Sequence, residues 1–218
     1  MAANAATGSR RQVVGRMVKE ARRSRRGWIP GATELAGRFG LSCLQRGEYR
    51  GELAYPIGQS GQCLIIRPLV LIHFSKYQQH HPHSLEAGGQ LFARFIEGNV
   101  VVERVTGPRP SDLRFRHLYI PDRSKEQGEI NAMHQEGFHF VGDWHSHPEP
   151  TPRPSPSDVR SIRDSFVKSK HHLNWFIMII AGTNEFPSGL HIAAHSAADG
   201  IDLVPDILLK DAPAISSI

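Results

Sequence analysis

The sequence predicts an α/β domain with a mixed sheet flanked by helices, preceded by a basic N-terminal extension. Three observations carry that prediction. Apolar, β-branched runs of strand length recur at 63–66, 86–95, 99–105, 138–144, 174–181 and 189–195. Segments with helical spacing stand between them, at 68–79, 129–137 and 155–170. Several neighbouring strands are joined by short polar turns, so antiparallel hairpins alternate with helical connections.

Composition bounds the rest. A chain of 218 residues can bury a sizeable core and suits one medium domain plus an appendage. No apolar run reaches transmembrane length, and the N-terminus has no apolar stretch of a secretory signal. The two cysteines, Cys43 and Cys63, form no Cys-x-x-Cys pair. They argue against a disulfide framework and a cysteine-based metal site, and they make a reducing cytosol the expected compartment. Charge is uneven: residues 1–60 hold 11 Lys and Arg against 4 Asp and Glu, a net +7 in a chain of +5, which leaves −2 for the remainder.

The expected division is therefore an extension over 1–60, partly disordered with a small helical element, and a domain over 61–218. The run from Arg10 to Arg26 reads either as a solvated flexible arm or as a contact surface for nucleic acid or an acidic partner. An Arg-rich, acid-poor N-terminus is also compatible with a transit peptide. Thr33 to Ser42 resembles the first helix and turn of a helix-turn-helix, but Arg46, Gly47 and Gly51 do not suit its second helix.

Cys63 to Ile66 is the first expected strand. Pro68 opens a helix reaching about Gln79, with Val70, Phe74 and Tyr77 at helical spacing. His80, His81 and His83 form a polar turn with Pro82 and offer a second, weaker metal-type cluster. Glu86 to Phe95 and Asn99 to Val105 pair as a hairpin turning at Glu97-Gly98, and Gly88 and Gly89 mark a close backbone approach. Phe115, His117 and Tyr119 alternate as one further strand. Glu129 to Gly137 is a short helix. Phe138 to Trp144 is an apolar strand that runs into His145-Ser146-His147-Pro148. Asn174 to Ala181 and Gly189 to His195 are strands around a turn at 183–185, and the tail from Asp199 adds one more strand and a loose end.

The chemistry concentrates at the end of the 138–144 strand. Residues i and i+2 of a strand share a face, so His145 and His147 can aim both imidazoles at one point. Ser155-Pro156-Ser157-Asp158 reads as a helix start, with Ser155 as N-cap and Asp158 at the third helical position. That is a rigid place from which to present a carboxylate. Two imidazoles, one carboxylate and an open fourth position describe a catalytic zinc site.

His145-Ser146-His147-Pro148, six residues, Ser155, two residues and Asp158 resemble without departure the signature of the JAMM (MPN+) zinc metalloproteases. Glu86-Ala87-Gly88-Gly89 resembles that family's upstream glutamate element. The resemblance covers roughly 62–195 and is closest to the short prokaryotic branch. It implies the JAMM/MPN (cytidine-deaminase-like) fold, with a mixed, curved sheet. It implies one catalytic Zn2+ held by His145, His147 and Asp158, with Glu86 as general base and Ser155 stabilising the oxyanion. Glu97 and Glu103 are the competing carboxylates. Of Asp143 and Trp144, one would support the metal shell and the other wall the cleft, while Ser146 would face away from the metal.

The implied reaction is hydrolysis of the bond after the C-terminal tail of ubiquitin or a ubiquitin-like protein. That tail would lie as an extended strand beside Glu86 to Phe95, and conjugation enzymes of the same operon, including antiphage defence operons, would be the partners. The competing readings are a non-catalytic MPN scaffold and a nucleic-acid-associated regulator acting through residues 9–60. No membrane association is expected, and the expected location is cytoplasmic.

Overall fold

A computed structural model of the protein describes residues 51–206. The basic run 10–26, the helix-turn-helix-like stretch 32–49 and the end of the tail lie outside the described residues. The elements, in chain order, are β1 (Leu53–Pro56), β2 (Cys63–Ile66), α1 (Pro68–Lys76), β3 (Gly88–Ile96), β4 (Asn99–Val105), β5 (Leu113–Phe115), β6 (Leu118–Ile120), α2 (Arg123–Gln135), β7 (His139–Ser146), α3 (Pro156–Lys168), β8 (Phe176–Ala181), β9 (Leu190–His195) and β10 (Gly200–Asp202).

Eight strands form one mixed sheet in the order β1-β2-β4-β3-β7-β8-β9-β10. The pairs β2–β4 and β7–β8 are parallel and the others antiparallel. This is the expected α/β architecture. Among the described residues no helix is long and apolar enough to cross a membrane.

Each face of the sheet buries a different set of side chains. On one face Val70 and Phe74 of α1 join Leu64, Ile66, Leu91, Val102, Val141, Trp144, Ile177 and Ile179 in the main core. On the other, Ile162 of α3 packs on Phe176, Met178 and Ile180, with Phe140 and Phe166 at the margin. The strict alternation along β8 feeds both cores from one strand, as period-2 side-chain direction requires.

Several expectations need correction, each for a local reason. β1 precedes residue 61 and is paired with β2 from Leu53↔Ile66 to Pro56↔Cys63, although its sequence, Leu53-Ala54-Tyr55-Pro56, is too short to register as a strand. The stretch 107–125 holds two short strands, not one: Leu113↔Ile120, Arg114↔Tyr119 and Phe115↔Leu118 pair across a turn at Arg116-His117. α2 begins six residues before Glu129, because Asp122 caps it by accepting from the Ser124 and Lys125 N–H groups. Glu86 lies just before β3, not within it. Cys63 is disulfide-bonded, which departs from the expectation drawn from the sparse cysteines. β3 is paired on both sides, by β4 and β7, so an added substrate strand has no edge to join there.

A β-bulge decides where the histidines point. In the β3–β7 ladder Leu91 pairs with Gly142 and Phe92 with Phe140, leaving Val141 as an extra residue. Side-chain parity therefore flips: Val141 and Trp144, three apart, share the α1-side core, while Phe140 lies in the α3-side cluster. His145 consequently emerges on the α3 side, opposite Ile180. Gly142 holds φ 143°, and a Cβ there would collide with the Ile177 main chain. Gly142→Ala should lower unfolding stability by about 2–4 kcal/mol, a figure typical of strain at a special backbone position. Chemical denaturation of both proteins measures it, and coincident midpoints would show that the bulge accepts a side chain.

Candidate metal centre

Two rigid elements converge on the end of β7. His145 and His147 stand two residues apart, with ring centroids 4.9 Å from each other. Asp158 sits in the first turn of α3, inside a complete capping box. The Ser155 N–H donates to Asp158 Oδ2 at 2.6 Å, and the Asp158 N–H donates to Ser155 Oγ at 3.2 Å. From there Asp158 Oδ2 lies 3.6 Å from Nε2 of both His145 and His147. Glu86, His145 and His147 also each present one ligand-type atom within 4.8 Å of the others. The structure thus brings four of the five sequence-selected residues together around one point.

The connecting loop is fixed by main-chain bonds, despite its prolines. The His147 N–H donates to the Ala181 carbonyl, the Thr183 N–H to Glu149 O and the Asn184 N–H to Pro150 O. Gln78 Nε2 donates to the Gly182 and Asn184 carbonyls, which ties α1's exit to the same turn. Glu149 Oε2 stands 3.1 Å from His147 Nδ1. A proton on Nδ1 shared with that carboxylate leaves Nε2 as the lone-pair donor, the arrangement seen around metal-binding imidazoles. Neither Gln78 nor Glu149 stands out in the sequence.

The donor set fits a metal ion by an observation independent of any resemblance. His145 Nε2 is buried and has no hydrogen-bond partner. Buried polar atoms are nearly always satisfied, so an orphan aimed at a carboxylate and a second imidazole marks a place for a bound group. Electrostatics agree. Burial, followed by the neighbouring His145, pushes the His147 imidazole towards its neutral form. Burial alone would raise the Asp158 carboxyl, but the His145 contact and the Ser155 capping bonds outweigh it and hold that group well below the usual carboxylate range. Neutral imidazole and ionised carboxylate are the ligand states that metals require.

The remaining sequence-selected residues fall in different places. Ser155 Oγ accepts the Asp158 N–H and lies 2.8 Å from Ser157 Oγ, so its hydroxyl is engaged in the cap. Ser146 faces away from the histidine side, as expected, and is fully buried. Trp144 does not wall the cleft: it is 1% exposed in the core, and its Nε1–H donates to the Thr106 carbonyl at 2.9 Å. Asp143 lies on the histidine side, where burial and then Glu126 push its carboxyl up to about 7. Glu103 sits beside Arg67 and Arg94, and Glu97 occupies the β3–β4 turn with φ 51°. Among the described residues, His80, His81 and His83 join no metal-type cluster.

A buried polar network beside the centre was invisible in the sequence. Arg109 makes a two-pronged pair with Glu129 of α2, and its Nη2 also donates to Gln90 Oε1 at 2.6 Å. Asp112 Oδ2 accepts from the Arg109 N–H and the Tyr119 hydroxyl. Its members are spread over 40 positions in three elements and the β4–β5 loop, so no local pattern announces them.

Glu86 is 8% exposed, and burial raises its carboxyl to about 7, with His145 lowering and Asp158 raising it further. The folded chain therefore keeps a proton there that the unfolded chain gives up near 4.5, and stability falls as pH rises through that window. Glu86→Gln should stabilise the metal-stripped protein by ~1–3 kcal/mol at pH 8, with the gain fading as pH falls through about 7 and gone by pH ~4.5. Urea unfolding at both pH values tests this, and an equal gain at the two would refute it.

The comparisons with known proteins come to the same place. The family described as prokaryotic homologs of the JAB domain matches residues 71–193. A protein of Escherichia coli named CD-NTase/cGAS isopeptidase is 28% identical over 132 residues, which span 59% of this chain and 82% of that protein. A protein of the same name from Pseudomonas aeruginosa is 35% identical over 101 residues, spanning 40% of this chain and 63% of its own length. The Sinorhizobium fredii protein named "Probable metalloprotease y4qB" is 33% identical over 86 residues, spanning 37% of this chain and 52% of its own. The family match covers more than half of the sequence, including Glu86, both histidines and Asp158, and the chain belongs to the prokaryotic JAB-domain branch of the JAMM/MPN family.

Proposed function

We propose that the protein is a zinc-dependent isopeptidase that hydrolyses the amide bond of a protein conjugate in a bacterial defence system. The observation that carries this reading is the convergence of His145, His147 and Asp158 beside a desolvated carboxyl group at Glu86. A tetrahedral zinc shell with ligand bonds of ~2.0–2.2 Å has edges of about 3.3–3.6 Å. The two 3.6 Å separations from Asp158 Oδ2 suit that size. His145, His147 and Asp158 would hold the ion, leaving Glu86 outside the ligand set as the base. Zinc, when bound, makes a water molecule nucleophilic at neutral pH and polarises the scissile carbonyl.

The chain's own groups do the rest. The Glu86 carboxylate takes a proton from the attacking water as the C–O bond forms. It returns that proton to the leaving nitrogen as the C–N bond breaks, and the products are a carboxylate and a free amine. A carboxyl group beside the metal ligands, but not among them, can serve both halves of that cycle. The conjugate is one of a ubiquitin-like protein or, as the relatives' names suggest, of a CD-NTase.

The β5–β6 hairpin offers the docking surface for that substrate protein. Leu113, Phe115, Leu118 and Ile120 project from one face and are 44–59% exposed. The other face turns inward, where Arg114 holds the Leu85 and Glu86 carbonyls. An exposed apolar strip of that kind on a monomer marks an interaction site. It is continuous with the centre, because the Glu86 N–H donates to Phe115 O at 2.7 Å.

Two outcomes test the proposal. Purified protein should cleave a lysine-linked conjugate of a ubiquitin-like protein or of a CD-NTase, lose activity on chelation and regain it with zinc. His147→Ala should lose metal, whereas Glu86→Ala should keep metal and lose at least ~10²-fold in kcat. Wild-type turnover by Glu86→Ala would remove it as base. Separately, Leu118→Ser should raise KM several-fold with little change in kcat, the pattern of lost uniform binding. A fall in kcat alone would contradict the docking role.

A further inference from the structure

Glu86 is not held by its own strand. It precedes β3, so its position depends on what grips residues 85–87. Ala87 is tied to Ser146 reciprocally: the Ser146 N–H donates to the Ala87 carbonyl at 2.8 Å, and the Ala87 N–H donates to Ser146 Oγ at 3.0 Å. The Ser146 hydroxyl then donates to Gln79 Oε1 at 3.3 Å. Gln79 Nε2 in turn donates to the Ser84 carbonyl at 3.2 Å and the Arg116 carbonyl at 2.8 Å. Gln79 is 3% exposed and Ser146 fully buried.

One carboxamide thus joins four segments: the exit of α1, the 84–87 segment that carries Glu86, the β5–β6 turn, and the end of β7 between the two histidines. A buried amide with its oxygen and nitrogen both engaged has one stable orientation, and the low local dielectric strengthens each bond.

From this geometry we infer that Gln79 is a positioning residue for the reaction. It fixes the Glu86 carboxylate relative to His145 and His147 through Ser146, without touching substrate or metal. The inference rests on the reading of Glu86 as general base. Misplacement of a reacting group by about 1 Å can lower turnover ~10²-fold, and the amide link is the element that would prevent it.

The test uses the full chain, loaded with zinc, and the lysine-linked conjugate as probe. Gln79→Met keeps the volume and removes all three bonds, and should lower kcat by ~10–10²-fold with KM and metal content unchanged. Ser146→Ala removes the hydroxyl, and with it both the link to Gln79 and the bond from the Ala87 N–H, and should show the same split, while Ser146→Thr, which keeps the hydroxyl, should restore turnover.

In a Glu86→Ala background, Gln79→Met should have no further effect on the residual rate, because its action passes through the missing carboxylate. A merely structural glutamine would lower the rate equally in both backgrounds, and that result would overturn the inference. Wild-type kcat in both Gln79→Met and Ser146→Ala, with Glu86→Ala inactive, would overturn it while leaving the base assignment standing. Wild-type turnover by Glu86→Ala would overturn both.

Discussion

The pairing of β3 with β7 is the constraint on which the rest of the centre depends. Gly88 pairs with His145 and Gly89 with Trp144, so the segment entering β3 is delivered to the exit of β7. That delivery brings Glu86 within ligand-type distance of the histidines, and the Ser146–Ala87 bonds then hold it there. The two glycines make the approach sterically feasible. A Cβ at Gly88 would meet the Tyr119 ring, and one at Gly89 would meet the Thr106 carbonyl. The double glycine is a packing requirement set by what crosses over β3, and the acid ahead of it inherits its position.

Folding alone would not favour several groups at this centre. Glu86 is desolvated, His145 Nε2 is orphaned, and Asp143 is raised by burial and by Glu126. Each is held by neighbours whose own requirements are met. The capping box fixes Asp158, the 181–184 turn fixes the loop after His147, and the Arg109 network fixes α2 and the β5–β6 hairpin against Gln90. Strained or unsatisfied groups persist where the surroundings over-determine them, and this centre has that character.

Much of this was legible in the sequence, because the ligands sit on short-range patterns. His145-x-His147 follows from strand period, and Ser155-x-x-Asp158 from helix capping, and both are decided within a few residues. The eight-stranded sheet was read strand by strand, including the short β10 expected in the tail from Asp199, except for β1, whose four residues carry too little periodicity. The split of 107–125 into two strands was missed because Phe115 and Tyr119 look like one alternation, whereas a turn at Arg116-His117 intervenes. The start of α2 was missed because Arg123 to Gly128 has no apolar face, and the helix there rests on the Asp122 cap and the Arg123–Glu126 pair. The Arg109 and Gln79 networks are tertiary and have no local signal at all.

The bulge at Val141 shows why local legibility was still insufficient for the histidines. Strand period says that His145 and His147 share a face but does not say which face. Without the extra residue, Phe140 and Trp144 would lie together and the histidines would point with Val141 into the α1-side core, against Phe74 and Tyr77. With it, Trp144 fills that core beside His73, Phe74 and Tyr77, and the histidines meet Asp158. A one-residue change of register exchanges core for site along the whole strand end. Trp144 and Ser146 are therefore coupled to the chemistry although neither faces it: each buried residue of the alternation holds the polar one beside it in place. The large ring that commits Trp144 to the core commits His145 to the opposite side, and the Ser146 hydroxyl that anchors Ala87 sets where the neighbouring carboxylate stands.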